Sequence, residues 1–280
     1  MINRTSILGG LLATSFLFFV LDPSAGSADQ AQVAAAKKLL HEYKNEAAAK
    51  ILRKALEDDP RNGPVWGLYG EALDSSNESK SAIEAYTKAI ALGEKGASVY
   101  HARGMAYSHL GNFETAIADF TTALKIGTPN SDARAFVHCD RADAELSSKR
   151  FCQAAEDYTM YFKFTSSADW ARYTHRARAY AGCGKIPEAI HDMSIFLGAA
   201  PKLRPKQIVG GYQYRSELYS KSKQYDKAIS DLSAALVLDP DRTIILRDRA
   251  KLYDLAGKKD LAEKDRAKSK QIDKKLYGDF

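Results

Sequence analysis

The chain has 280 residues, 45% hydrophobic, 10% aromatic and 27% charged, with a formal net charge of +6. Eight prolines, eighteen glycines and ample aromatics in that length exclude a disordered or collagen-like chain, and three cysteines are too few for a full disulfide framework. From Asp241 to Phe280 twelve Lys/Arg stand against eight Asp/Glu, but the signs are interspersed as on a solvated helix face.

The first 28 residues have the layout of a secretory signal peptide. Arg4 is followed by an uncharged apolar run, Ile7 to Leu21, and then by small residues with cleavage expected after Ala28 or Ala25. The run is short for a bilayer span, which takes about 20 residues. An uncleaved inner-membrane anchor is the alternative; after removal of the signal no membrane span is expected, and the protein is exported, periplasmic or secreted.

Beyond it the sequence repeats. Counting from Ala97, Tyr100, Arg103-Gly104, Tyr107, Gly111, Phe113, Ala116, Phe120 and Ala123 recur as Trp66, Tyr69-Gly70, Leu73, Ala82, Tyr86 and Ala89 one unit earlier. They recur again as Arg141-Ala142, Ala154 and Tyr158; as Tyr173, Arg176-Ala177, Tyr180, Gly184 and Ala189; and as Tyr212, Arg215-Ser216, Tyr219, Ala228 and Leu232. A last partial unit carries Arg249-Ala250, Tyr253, Gly257 and Ala262, and an early half-unit Ala48, Leu52 and Ala55. The units span 29–62, 63–96, 97–130, 135–168, 170–203, 209–242 and 243–270, ahead of a polar tail at 271–280. Two steps, of 38 and 39 residues, are well above the usual 34, through "GTPNSDARAF" and "GAAPKLRPKQIVGG", where an insertion projects as a loop or lengthens a helix; the second is a candidate bend.

Each unit holds two apolar patterns of helical period around a turn at Gly111, Gly184, Gly257 or Asn77, residues that tolerate the left-handed end of a helix. Position 8 is always small and position 20 always Ala, so small side chains meet where the helices cross. The same geometry sets position 7 opposite position 22 or 23. This pairs Arg103 with Asp119, Arg141 with Asp157, Arg176 with Asp192, Arg215 with Asp231 and Arg249 with Asp265, while Tyr69 and Ala85 replace both charges together. These are expected to be structural ion pairs, within a hairpin or between neighbouring repeats.

The pattern resembles the tetratricopeptide repeat, W-x2-L-G-x2-Y, A-x3-F and P in about 34 residues. The resemblance implies an all-α, right-handed superhelical solenoid of antiparallel helix-turn-helix repeats. It also implies a concave surface of first helices that holds protein segments. The expected groove comprises Glu71, His101, Met105, Phe136, Cys139, Asp143, Arg178, Gln213, Glu217, Arg247 and Lys251. The family's carboxylate-gripping Lys/Asn pattern is missing, since its positions carry Gly67, Glu71, Ala102, Phe136 and Asp140. Stacking also brings Cys152 and Cys183 to one edge. Either they bond and leave Cys139 unpaired, or all three are buried thiols.

No HExxH, GxSxG, phosphate-binding loop or dinucleotide fingerprint occurs. The reading is therefore a non-enzymatic scaffold or adaptor without cofactor or metal, monomeric or weakly self-associating, whose partner is a protein or peptide and not nucleic acid. The alternative is a self-associating structural repeat protein of the cell envelope; the polar last helix, read as a solubilising cap, argues against open-ended stacking.

Overall fold

The computed structural model describes residues 23–128, 130–165, 169–200 and 203–278. The apolar run Ile7 to Leu21 lies outside them. Fourteen helices follow in chain order: α1 Pro23–His41, α2 Asn45–Asp58, α3 Gly63–Asp74, α4 Ser79–Ala91, α5 Ala97–His109, α6 Phe113–Ile126 and α7 Ser131–Ser147. Then come α8 Phe151–Phe164, α9 Trp170–Gly182, α10 Ile186–Gly198, α11 Pro205–Lys221, α12 Tyr225–Leu238, α13 Thr243–Leu255 and α14 Lys259–Tyr277. No strand occurs among the described residues. Consecutive helices pack as hairpins, and the second helix of each hairpin packs on the first helix of the next. The chain is thus an all-α solenoid.

Every hairpin turns in the same way. One residue takes positive φ: Tyr43, Asn77, Gly111, Lys149, Gly184, Lys223 or Gly257. The following amide bonds back to the carbonyl five residues earlier, as in Asn112 N–H to Tyr107 and Gln224 N–H to Tyr219. This 6→1 bond satisfies a carbonyl at the helix end. Glycine serves at three turns; Tyr43, Lys149 and Lys223 hold the left-handed conformation in spite of their side chains. Helix starts are marked by side-chain caps where the sequence supplies them. Asn62 accepts the Val65 N–H and Asn130 that of Ala133.

The two long steps lengthen first helices. Both α7 and α11 have 17 residues, where α5, α9 and α13 have 13, so each begins about one turn early. Asn130 caps the first extension and Pro205 occupies the first turn of the second. The tail read as starting at 271 is helical as far as Tyr277.

The seam inside each hairpin is an alanine stack. Ala48, Ala82, Ala116, Ala154, Ala189, Ala228 and Ala262, all at position 20, are wholly buried. Position 8 touches this seam but meets more than a small partner. A Cβ on Gly70 or Gly104 would stand 2.7 Å from the ring of Tyr86 or Phe120, at position 24. Ser216 instead donates to the Ala228 carbonyl at 2.9 Å. The small residue at position 8 therefore makes room for a large one at position 24.

Candidate functional site

The five recurrent arginines are held identically. Nε and Nη2 of Arg103, Arg141, Arg176, Arg215 and Arg249 donate to the two oxygens of Asp119, Asp157, Asp192, Asp231 and Asp265, at 2.5–2.8 Å. All five carboxylates are buried. The guanidinium stacks near tyrosines one turn away on its own helix, Tyr100 and Tyr107 for Arg103, Tyr212 and Tyr219 for Arg215. The hydrogen bonds that Arg103 donates to Asp119 raise its affinity for its proton, against the opposing effect of burial.

The third nitrogen reaches the preceding repeat. Nη1 of Arg103, Arg141, Arg176, Arg215 and Arg249 donates to Thr87, Thr121, Thr159, Ser194 and Ser233, at 2.9–3.5 Å. Each hydroxyl is at position 25, two residues after the aspartate position of its own repeat. Sequence reasoning missed it, although the signal is present as Asp-x-Thr or Asp-x-Ser at 119, 157, 192 and 231. The exceptions follow the same logic. The α3–α4 hairpin lacks the aspartate yet keeps Thr87, because Thr87 serves Arg103; the last hairpin has Ala267 there, because no described repeat follows. One arginine thus closes its own hairpin and fastens it to the one before, so these ten charges are engaged inside the scaffold.

One hairpin carries an additional buried cluster. His138 stands at position 4, where four other hairpins have Trp66, Tyr100, Tyr173 and Tyr212, and its Nδ1 lies 2.8 Å from Asp157. Burial opposes ionisation of Asp157, but hydrogen bonds from Arg141 and His138 hold its carboxyl below the usual range. Nearby Glu145 is buried with Oε2 unpartnered; burial and the charge of Asp157 push it up to about 7. Cys152, at the start of α8, and Cys183, after α9, form a disulfide with a Cα–Cα distance of 5.0 Å. The helix ends meet closely: the Phe151 ring occupies the space where a Cβ on Gly182 would stand.

Ten of the expected groove residues stand on first helices at exposed or half-buried positions; Cys139 does not. It is 1% exposed, packed with Tyr158 and Tyr161, and burial pushes its thiol up. Cys139 is therefore a core residue, corrected from the groove. Arg247 is partly engaged, donating to Ser269 and Asp273 of α14 at 3.1 and 2.5 Å. Asp143 is tied to Arg172 and His175 of α9, and His101 to Asp140 of α7 at 2.6 Å.

The remaining groove residues other than Arg178, which is exposed on α9, border cavities between successive first helices. A cavity of about 340 Å³ between α3 and α5 holds Glu71. One of about 490 Å³ between α5 and α7 is mainly apolar, with His101, Met105 and Phe136, the last 58% exposed. One of about 620 Å³ between α11 and α13 contains Gln213, Tyr214, Glu217 and Lys251. There burial and Glu217 push the Tyr214 phenol up to about 12, while Arg178 on α9 acts against them. Among the described residues no group of His, Cys, Asp and Glu is placed to hold a metal ion, and no helix is long and apolar enough to cross a membrane.

Hairpins of constant design, stacked by a repeated fastening and leaving one wall of helices lined with cavities, define a helical-repeat scaffold. Tetratricopeptide-repeat family models match residues 39–104, 97–128 and 211–242. The chain is a tetratricopeptide-repeat protein, and such repeats serve as protein–protein interaction scaffolds. The matches span only 6–38% of the length of its curated relatives. One, a UDP-N-acetylglucosamine–peptide N-acetylglucosaminyltransferase of Giardia intestinalis, is 36% identical over 95 residues, 34% of this chain and 6% of that protein. Among solved structures, a repeat protein of Cytophaga hutchinsonii superposes with a TM-score of 0.65 at 13% identity, covering 87% of this chain and 97% of its own. YrrB, described as a TPR protein with an unusual peptide-binding site, does so at 0.61 and 19%, covering 72% of this chain and 98% of its own. At these identities the structures speak for the fold.

Proposed function

We propose that this protein is an exported adaptor that holds an extended segment of a partner polypeptide along the wall formed by its first helices. The observation that carries the reading is the division of labour among charged side chains. The recurrent Arg–Asp pairs are consumed in joining repeats, while cavities of about 340–620 Å³ open between first helices and are bordered by side chains that differ from repeat to repeat. A surface that varies on an invariant frame is suited to recognition. The reported peptide-binding site of YrrB, a protein of similar fold, is consistent with it. Export is supported by the apolar run after Arg4 and by the disulfide, since such bonds persist in oxidising compartments.

The reading is tested by site-specific photo-crosslinking in the native envelope. A crosslinker at Phe136 or Gln213 should capture the same polypeptide, and one at Glu84 or Lys227, exposed on second helices, should not. Equal capture from both sets would refute the groove. Self-association is a second reading, favoured by Ile244, Leu255 and Leu276, which are 50–62% exposed on the last hairpin. Light scattering at rising concentration separates the two.

A further inference from the structure

Two hairpins share an unusual pair. Position 9 carries a carboxylate and position 24 a tyrosine in both: Glu71 with Tyr86, and Asp143 with Tyr158. In the α7–α8 hairpin the pair holds a cation. The Tyr158 hydroxyl donates to Asp143, whose second oxygen receives Nη1 of Arg172 at 2.6 Å. Arg172 comes from position 3 of the next first helix, α9, and its Nε lies 3.3 Å from a second carboxylate, Asp169, just ahead of that helix.

In the α3–α4 hairpin the same arrangement lacks its cation. Position 3 of the next first helix is Val99 in place of Arg172, and position 6 is Ala102 in place of His175. The second carboxylate is again supplied just ahead of the next first helix, as Glu94, which borders the same cavity as Glu71. Neither carboxylate has a hydrogen bond or ion pair among the described residues. Tyr86, 3% exposed, borders this cavity, and its hydroxyl is likewise without a hydrogen bond among the described residues. Burial first, and then the charges of Asp74 and Glu71, push that phenol well above its usual range. Gly67 stands where Cys139 fills the other hairpin, with nothing within 4 Å of a Cβ built on it, so the cavity is open at that point. Pro64, Leu68 and Val99 give it apolar walls. Lys37 of α1, exposed at the rim, leaves a charge of −1 against the two carboxylates.

We infer that the cavity between α3 and α5 seats a lysine or arginine side chain of the partner polypeptide, its methylenes against the apolar walls and its charge between Glu71, Glu94 and the Tyr86 hydroxyl. The inference rests on the groove reading above and specifies the chemistry of what is bound there. The chain itself shows the occupied form, with Arg172 in the place of the partner's cation. A carboxylate pair with a dry tyrosine behind it favours a long cationic side chain that brings its own apolar stem.

The test is an amide NMR titration of the full, 15N-labelled chain with two sets of extended decapeptides, random except for a fixed central arginine or a fixed central glutamate. The arginine set should shift amides of α3 and α5, with binding about tenfold weaker for Glu71→Gln and for Tyr86→Phe, whereas the glutamate set should leave α3 and α5 unshifted. Both variants are checked for native helicity; Glu94→Gln, at a loop position, provides a third. Shifts confined to first helices other than α3 and α5, or equal affinity for wild type and all three variants, would overturn the cationic seat and leave the groove standing. An absence of shifts on every first helix would overturn both.

Discussion

Asp192 shows what a single residue contributes to this architecture. It is 1% exposed and receives both nitrogens of the Arg176 fork at 2.7 Å, while Arg176 also reaches Thr159 in the preceding repeat. Asp192→Ala leaves a buried guanidinium unpaired and should cost about 3–5 kcal/mol in urea unfolding. Thr121→Val, which removes only the hydroxyl that receives Arg141, should cost about 1 kcal/mol. Glu145 gives a pH signature. Its carboxyl rises from an ordinary 4.5 to about 7 on folding, so the folded chain holds that proton more tightly. The associated stability is complete below about pH 4.5 and is lost as the pH rises to 7; Asp157, held low, loses its contribution only in stronger acid. Unfolding at pH 5 and pH 8 should show a loss of roughly 1–3 kcal/mol that Glu145→Gln abolishes. Position 7 could be set opposite position 23 from the sequence, because two antiparallel helices joined by a fixed turn have a fixed offset. The hydroxyl at position 25 could not be found so directly. It belongs to the next repeat's arginine, and the distance in sequence varies from 16 to 21 residues with the junction between them.

At the scale of helices and turns, the left-handed residue between hairpin helices was readable only where glycine or asparagine marks it. Tyr43, Lys149 and Lys223 carry no such mark; the 6→1 bond of the turn, and not the residue, imposes the conformation. Lys223→Gly should therefore raise stability by about 1 kcal/mol. The insertions could be placed between hairpins, but whether they form loops or helix depended on caps, and Asn130 and Pro205 decide for helix. The groove was legible as first-helix positions. Cys139 was misplaced because position 5 is open in one hairpin, at Gly67, and closed in another by Tyr158 and Tyr161. The disulfide closes a 31-residue separation across α8 and α9. Its reduction should cost roughly 3–4 kcal/mol by loop-closure entropy, measured by unfolding with and without reductant.

Across the described residues seven hairpins stand in series, the last six fastened to one another by side chains that recur, and the wall of first helices is left with cavities that do not. Stability is then shared between adjacent repeats, and recognition is free to differ along the wall. This account requires an extended body. Small-angle X-ray scattering of the monomer measures it most directly: a compact globule of this length would have a radius of gyration of about 19 Å. The account predicts a clearly larger value with a skewed, long-tailed distance distribution, and a symmetric distribution with a radius near 19 Å would contradict it.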